Sequence, residues 1–308
     1  MVADERTATS ASPVSEPRDS YPDAMAAATA AGRGAAAIRS RLASAELPVA
    51  VASAISSAYA ALGPGADVAV RSSATMEDSS AASFAGLQDT YLGVAGLPSV
   101  LDHVGRCWAS LYNDESVAYR RRLRMPERDL AMAVVVQRMV GPRAAGVMFT
   151  RSPVSGDRSV VAIEGTWGLG SALVAGDVTP DSFMISKITG EITGRRVSVK
   201  ESLHSFFPNG GGLTVTGTPD SLRGVPCLTD DEIRALAVVA RTVEAHYGVP
   251  QDIEWAVLDE PSGAPPAERI VLLQSRPETV WAAKTSAPVA APKARPADHV
   301  LSLFGKPQ

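Results

Sequence analysis

The segment Val68-Ala69-Val70-Arg71-Ser72-Ser73-Ala74-Thr75 constrains this chain most. Three apolar residues of buried-strand type lead straight to a permanently charged guanidinium and a run of small hydroxyl residues, so the strand has to end against a polar cleft or solvent. A second small-residue loop, Ala82-Ser83-Phe84-Ala85-Gly86, follows within reach. Arg supplies a planar fork of donors, and Ser, Ala and Gly let backbone N–H groups approach anionic oxygens, a pairing that suits polyphosphate. By composition alone a plainer reading is favoured, an exposed strand end running into a solvated loop.

With 308 residues, 45% of them hydrophobic and 20% charged, the chain has material for one large or two moderate cores. A net charge of −4 gives no electrostatic footprint for nucleic acid, and Arg120-Arg121-Arg122 with Arg124 is short enough to be a solvated helix face. Cys107 and Cys227 lack metal-type spacing and read as reduced, buried thiols, so no zinc site is expected. The amino terminus has no basic start followed by an apolar core, and no apolar run approaches bilayer length. The expectation is a cytoplasmic protein without membrane contact.

Pattern along the chain predicts an α+β protein. Residues 1–20, rich in Ser, Thr, Pro and Ala, read as a disordered head. Alanine-rich helical material fills 23–62, with Leu42, Leu47, Val49, Val51 and Ile55 as its buried positions. From Pro98 a helical pattern carries Val100, Val104, Trp108 and Leu111 on one side and continues through Val117 and Tyr119 into the arginine cluster. A strand at 132–140 precedes Gly141-Pro142, and 145–149 reads as its hairpin partner. The boundary between a first lobe, 21–140, and a second, 141–284, falls there.

Strands follow at 160–164, 182–187 and 191–199, the last two joined by a turn at Gly190. Thr229-Asp230-Asp231-Glu232 has the form of a capping box, opening a helix with Ile233, Leu236, Val239, Ala240 and Val243 on its core side and Gly248 and Pro250 at its end. Strands at 252–258 and 269–274 close the second lobe. Residues 285–308 read as linker and tail, ending in the apolar patch Val300-Leu301-Ser302-Leu303-Phe304. His103 and His246 lie in helical patterns and His204 and His299 in loops, so each reads as packing or surface rather than as a nucleophile.

The last two strands carry a second constellation. Period-two alternation puts Ile253, Trp255 and Val257 on one face and Asp252, Glu254 and Ala256 on the other. On the return strand Gln274 and Arg276 share a face, and a simple register sets Gln274 opposite Glu254. A carboxylate and an amide oxygen are hard ligands suited to Mg²⁺, with Arg276 offsetting phosphate charge. A surface ion pair between Glu254 and Arg276 fits the same spacing equally well.

Four blocks, in order, are VRSSATMEDSSAASFAGLQDTYL, MAVVVQRMVGPRAAGVMFTRSPVSGD, IEGTWGLGSALVAGDVTPDSF, and DIEWAV with LLQSRPETVW. Over residues 66–284 they resemble the ATP-binding domain of the phosphoenolpyruvate synthase, pyruvate phosphate dikinase and rifampicin phosphotransferase family. The resemblance implies an ATP-grasp fold, two lobes with antiparallel sheets and packed helices holding ATP between them. It implies nucleotide contacts from Arg71, Thr75, Gly86, Gln137, Glu164, Glu254, Gln274 and Arg276, with Gln137 near the adenine and Glu164 pointing into the cleft. Gly168 and Gly170 turn the chain into a helix. Glu254 and Gln274 bind Mg²⁺ by the same resemblance, and Arg71 and Arg276 act in catalysis by holding phosphates. One departure is the family's opening GGK-type segment, which is echoed only by Ala31-Gly32-Arg33-Gly34-Ala35, without the lysine.

In that family ATP phosphorylates a histidine on a separate swivelling domain, with AMP and phosphate among the products. No counterpart of that domain, or of the acceptor domain, is visible. The expectation is therefore the ATP-binding subunit of a split dikinase, similar in arrangement to phenylphosphate synthase. It would act with a partner subunit that bears the phosphohistidine and the acceptor site, on a small acceptor such as phenol, cresol or pyruvate. The alternatives are a non-catalytic ATP-sensing regulator and, more weakly, a stand-alone ATP-grasp ligase.

Overall fold

The computed structural model describes residues 34–75, 78–79, 82–83, 89–122, 130–207, 212–259 and 264–282. The expected head at 1–20, residues 31–33, Gly86 and the tail at 285–308 lie outside them. Helices α1 (Ala35–Ser44) and α2 (Val49–Ala61) lead into β1 (Val68–Ala74), the two-residue strands β2 (Asp78–Ser79) and β3 (Ala82–Ser83), and β4 (Thr90–Val94). Helices α3 (Leu97–Ser110) and α4 (Asp114–Arg122) and strand β5 (Met132–Arg138) follow. β1 lies between β4 and β5, antiparallel to both. Val68 and Val70 are fully buried among Val94, Val100, Val104 and Cys107, which places α3 across the apolar face of this sheet. Burial and the Asp89 carboxylate push the Cys107 thiol up to about 12, so it is inert at neutral pH.

Three expectations fail in this first half. The long helix breaks after Ser110, because the amides of Leu111, Tyr112 and Asn113 bond back three residues instead of four, and α4 starts afresh at Asp114. The break turns Arg120 inward: it is 1% exposed, donates to the Leu111 carbonyl at 2.5 Å and lies 5.6 Å from the Tyr112 ring centroid. It is a structural pin, not part of a solvated face. Val49 is 86% exposed at the first turn of α2, and the buried residues of α1 and α2 are Leu42 and Tyr59.

β5 also does not fold back on the next strand. All seven of its residues pair with β1, whereas β6 (Pro142–Phe149) enters another sheet. Two cores pull the strands apart, since Val134 and Val136 pack with the β1 core while Ala144 and Met148 pack in a second one. From β6 the chain continues through β7 (Val160–Trp167), α5 (Ser171–Val174), β8 (Asp181–Ser186), β9 (Ile192–Arg196) and the hairpin β10 (Ser202–Phe206) and β11 (Leu213–Gly217). It then forms α6 (Asp220–Arg223), α7 (Asp230–Tyr247), β12 (Gln251–Leu258), α8 (Pro266–Arg269) and β13 (Ile270–Pro277). Six of these strands make one antiparallel sheet in the order β13-β12-β6-β7-β8-β9. One face, carrying Met148, Ile163, Phe183, Ile253, Trp255 and Val257, packs under Ile233, Leu236 and Ala240 of α7. Among the described residues no single helix is long and apolar enough to cross a membrane.

The capping box of α7 forms as its pattern predicts, with the Glu232 amide donating to Thr229 Oγ1 and the Thr229 amide donating to Glu232 Oε2. Glu232 is 1% exposed and also accepts from Arg143 at 2.7 Å and Arg269 at 3.0 Å. Burial alone raises its carboxyl pKa, but the Thr229 N–H and the two guanidinium groups outweigh burial and leave it below the ordinary value. Glu232→Ala is expected to cost stability near the lower end of the ~3–5 kcal/mol for breaking a buried pair, because both arginines keep some solvent. The urea midpoint should fall with an unchanged slope. The carboxylate's contribution is complete above its unfolded pKa and is lost as pH falls through the lowered folded value, so the gap between wild type and variant should shrink in acid.

Candidate functional site

The face of the six-stranded sheet turned away from α7 is the polar one. Its registers align Gln274 with Glu254, Glu254 with Val147, Val147 with Glu164, and Glu164 with Ser182, a single cross-strand row. The next row places Arg276 opposite Asp252 and Asp252 opposite Phe149. The Glu254–Gln274 register is therefore the expected one, and Arg276 shares their face.

Onto this row comes the end of β1. Arg71 Nη2 donates to Glu254 Oε2 at 2.6 Å and to Gln274 Oε1 at 2.6 Å, bridging 183 and 203 residues of sequence. The Arg71 side chain is 17% exposed and that of Glu254 34%, so the pair is half shielded from solvent rather than a fully wetted surface contact. The ion pair considered for Glu254 thus exists, but its cation is Arg71 of the other sheet, not Arg276.

A second inter-sheet bond comes from an irregularity. β13 carries one extra residue at Leu273, because Glu254 pairs with Gln274 and Trp255 with Leu272. The bulge frees the Leu273 carbonyl from the ladder, and it accepts from Gln137 Nε2 of β5 at 3.2 Å. The side chain expected near the adenine is tied here to the hairpin that carries Glu254 and Gln274. Thr75 sits just past β1, where its Oγ1 accepts from the Ala131 amide at 3.0 Å and fastens the strand end to β5. Glu164 is half-buried on the polar row, and Gly86 lies outside the described residues.

The chemistry of the donor set fits a divalent cation. A carboxylate oxygen and an amide oxygen converge on one cationic nitrogen, so both can be satisfied by a single positive centre. No group of three or more His, Cys, Asp or Glu side chains capable of holding a metal occurs among the described residues. A cation that draws few protein ligands and completes its shell with water and phosphate oxygens, as Mg²⁺ does, is the type that suits them.

The Gly168 turn is built as its glycines suggest, with consequences the sequence does not show. Gly168 has φ +71°, and a Cβ there would lie 2.3 Å from the His204 carbonyl, so only glycine fits. His204, expected in a loop, lies instead on β10 and is 2% exposed. Its ring reaches Ser171 Oγ at 3.0 Å and Asp177 Oδ2 at 3.3 Å. These partners are 33 and 27 residues away, and no local pattern announces them.

The chain matches the family described as pyruvate phosphate dikinase, AMP/ATP-binding domain, over residues 18–296, a wider span than the four blocks alone cover. A rifampicin phosphotransferase from a Streptomyces species is 44% identical over 246 residues, which is 80% of this chain and 27% of that protein. The phosphoenolpyruvate synthase of Aeropyrum pernix is 41% identical over 275 residues, covering 80% of this chain and 33% of its own. A prodigiosin-synthesizing transferase of Serratia marcescens is 42% identical over 245 residues, again 80% of this chain and 26% of its own. This chain thus spans about a quarter to a third of the length of these curated relatives.

Proposed function

Because the chain belongs to the pyruvate phosphate dikinase AMP/ATP-binding domain family, we propose that it binds ATP between its two main sheets and delivers a phosphoryl group to a histidine of a partner subunit. The α+β fold, with its antiparallel sheets and packed helices, is of the ATP-grasp type. The observation that carries the reading is the meeting of Arg71 from one sheet with Glu254 and Gln274 from the other. Glu254 and Gln274 would hold Mg²⁺, whose charge would offset that of the phosphates. Arg71 and Arg276 would orient phosphate oxygens, and Gln137 and Glu164 would flank the rest of the nucleotide. Fixed charges aimed at the phosphates lower the barrier without reorganising at the moment of transfer.

The described histidines support a carrier elsewhere. His204 is buried, His103 Nδ1 lies 2.7 Å from the Ser99 carbonyl, and His246 belongs to α7, on the opposite face of the sheet from Glu254. In our reading the partner also holds the acceptor site, with a phenol, a cresol or pyruvate as acceptor, and the complex works in the cytoplasm.

Two linked measurements test this. ATP with Mg²⁺ at about a hundred times its Kd should stabilise the chain by roughly 2.7 kcal/mol, read as a rise in Tm of several degrees. ATP labelled at its β-phosphate should label the partner and leave this chain unlabelled. Label on this chain by itself would overturn the split arrangement. Binding without transfer to any partner would favour an ATP sensor.

A further inference from the structure

We infer that His204, acting through Ser171 and Asp177, is a positioning residue that sets the nucleotide cleft; the inference rests on the ATP-binding reading above. Three independent contacts converge on it. Its carbonyl accepts from the Leu169 amide at 2.8 Å and abuts Gly168. Its ring, 2% exposed, lies between Ser171 Oγ at 3.0 Å and Asp177 Oδ2 at 3.3 Å. Ser171 is the first residue of α5 and Asp177 lies three residues past its end, so one imidazole holds both ends of the segment that follows the Gly168 turn.

That segment rests on the polar face of the sheet. A Cβ at Gly170 would lie 3.8 Å from the Ala145 Cβ. Ala145 pairs with Ala256 and Thr166, in the row beside the one carrying Glu254 and Glu164. The other end of the His204 strand leads to the opposite sheet. Across the hairpin, Gly212 packs on Gly93 of β4, where φ is +68° and a Cβ would lie 3.2 Å from the Gly212 backbone. β4 pairs with β1 at Arg71 itself, through Thr90. His204 therefore joins a turn lying on Glu254's sheet to a hairpin touching Arg71's sheet, the two elements whose separation a bound nucleotide has to match. Errors of this kind in spacing are costly to binding and to transfer.

The test uses the full chain and measures the Kd of Mg·ATP by calorimetry beside the Tm without nucleotide. Asp177→Asn carries the most weight, because the carboxylate is 52% exposed and its loss spares the fold. Asp177→Asn and Ser171→Ala should each raise the ATP Kd about three- to tenfold with little change in Tm, the range of one hydrogen bond lost. His204→Gln, whose amide keeps a donor and an acceptor, should bind ATP more tightly than His204→Ala. In the His204→Ala background Asp177→Asn should add nothing further. ATP affinity within twofold of wild type for Asp177→Asn and Ser171→Ala, whatever their Tm, would overturn the positioning role. A wild-type chain that binds no ATP would instead overturn the functional reading, and this inference with it.

Discussion

Glu254→Gln is expected to lower phosphoryl transfer, assayed with the partner subunit, by at least about a hundredfold while leaving the fold intact. The substitution keeps the shape of the side chain and one oxygen, and removes the charge. Glu254 is the only carboxylate that meets both Arg71 and Gln274 among the described contacts, so the variant loses what balances Arg71 and what favours a divalent cation. Stability should barely move, since the side chain is 34% exposed and exposed ion pairs contribute about 0–1 kcal/mol. Circular dichroism and Tm check the fold, and turnover with the partner checks the role. Turnover close to wild type would mean that Glu254 serves only as an interlobe ion pair.

What was legible in the sequence was local. The capping box at Thr229 and Glu232 rests on residues three apart, and the Glu254–Gln274 register follows from two neighbouring strands, so both emerge from spacing and pattern. The matched family and its α+β fold were legible because whole blocks of wording survive. What was hidden depends on partners far apart in the chain. Val134 to Val136 and 145–149 look like a hairpin across Gly141-Pro142 until two separate cores claim them. The inward turn of Arg120 needs the Tyr112 ring and the Leu111 carbonyl, which become available only because the helix breaks between them. The site itself shows the same division: spacing sets Gln274 beside Glu254, but no pattern could say that Arg71, 183 residues earlier, would close on them. Nor could alternation reveal the bulge at Leu273, which hands a backbone carbonyl to Gln137.

Arg71→Ala is expected to change two affinities in opposite directions. One guanidinium nitrogen lies 2.6 Å from both oxygens that suit a divalent cation, so arginine and cation compete for the same lone pairs. Removing the arginine should tighten binding of Mn²⁺ alone, measured by its relaxation enhancement of water protons. The same change should weaken Mg·ATP about ten- to a hundredfold, because a charge-assisted hydrogen bond contributes roughly 1.5–3 kcal/mol and the phosphates lose their planar donor. Arg71→Lys should recover only part of the ATP affinity, since an ammonium offers a point charge without the fork. Two simpler roles predict other patterns. A purely structural arginine would lower Tm and leave both affinities in proportion, and a pure phosphate ligand would leave Mn²⁺ binding untouched. Only an arginine that shares its oxygens with the cation gives the opposed pair of shifts, and unchanged Mn²⁺ affinity in Arg71→Ala would exclude that competition.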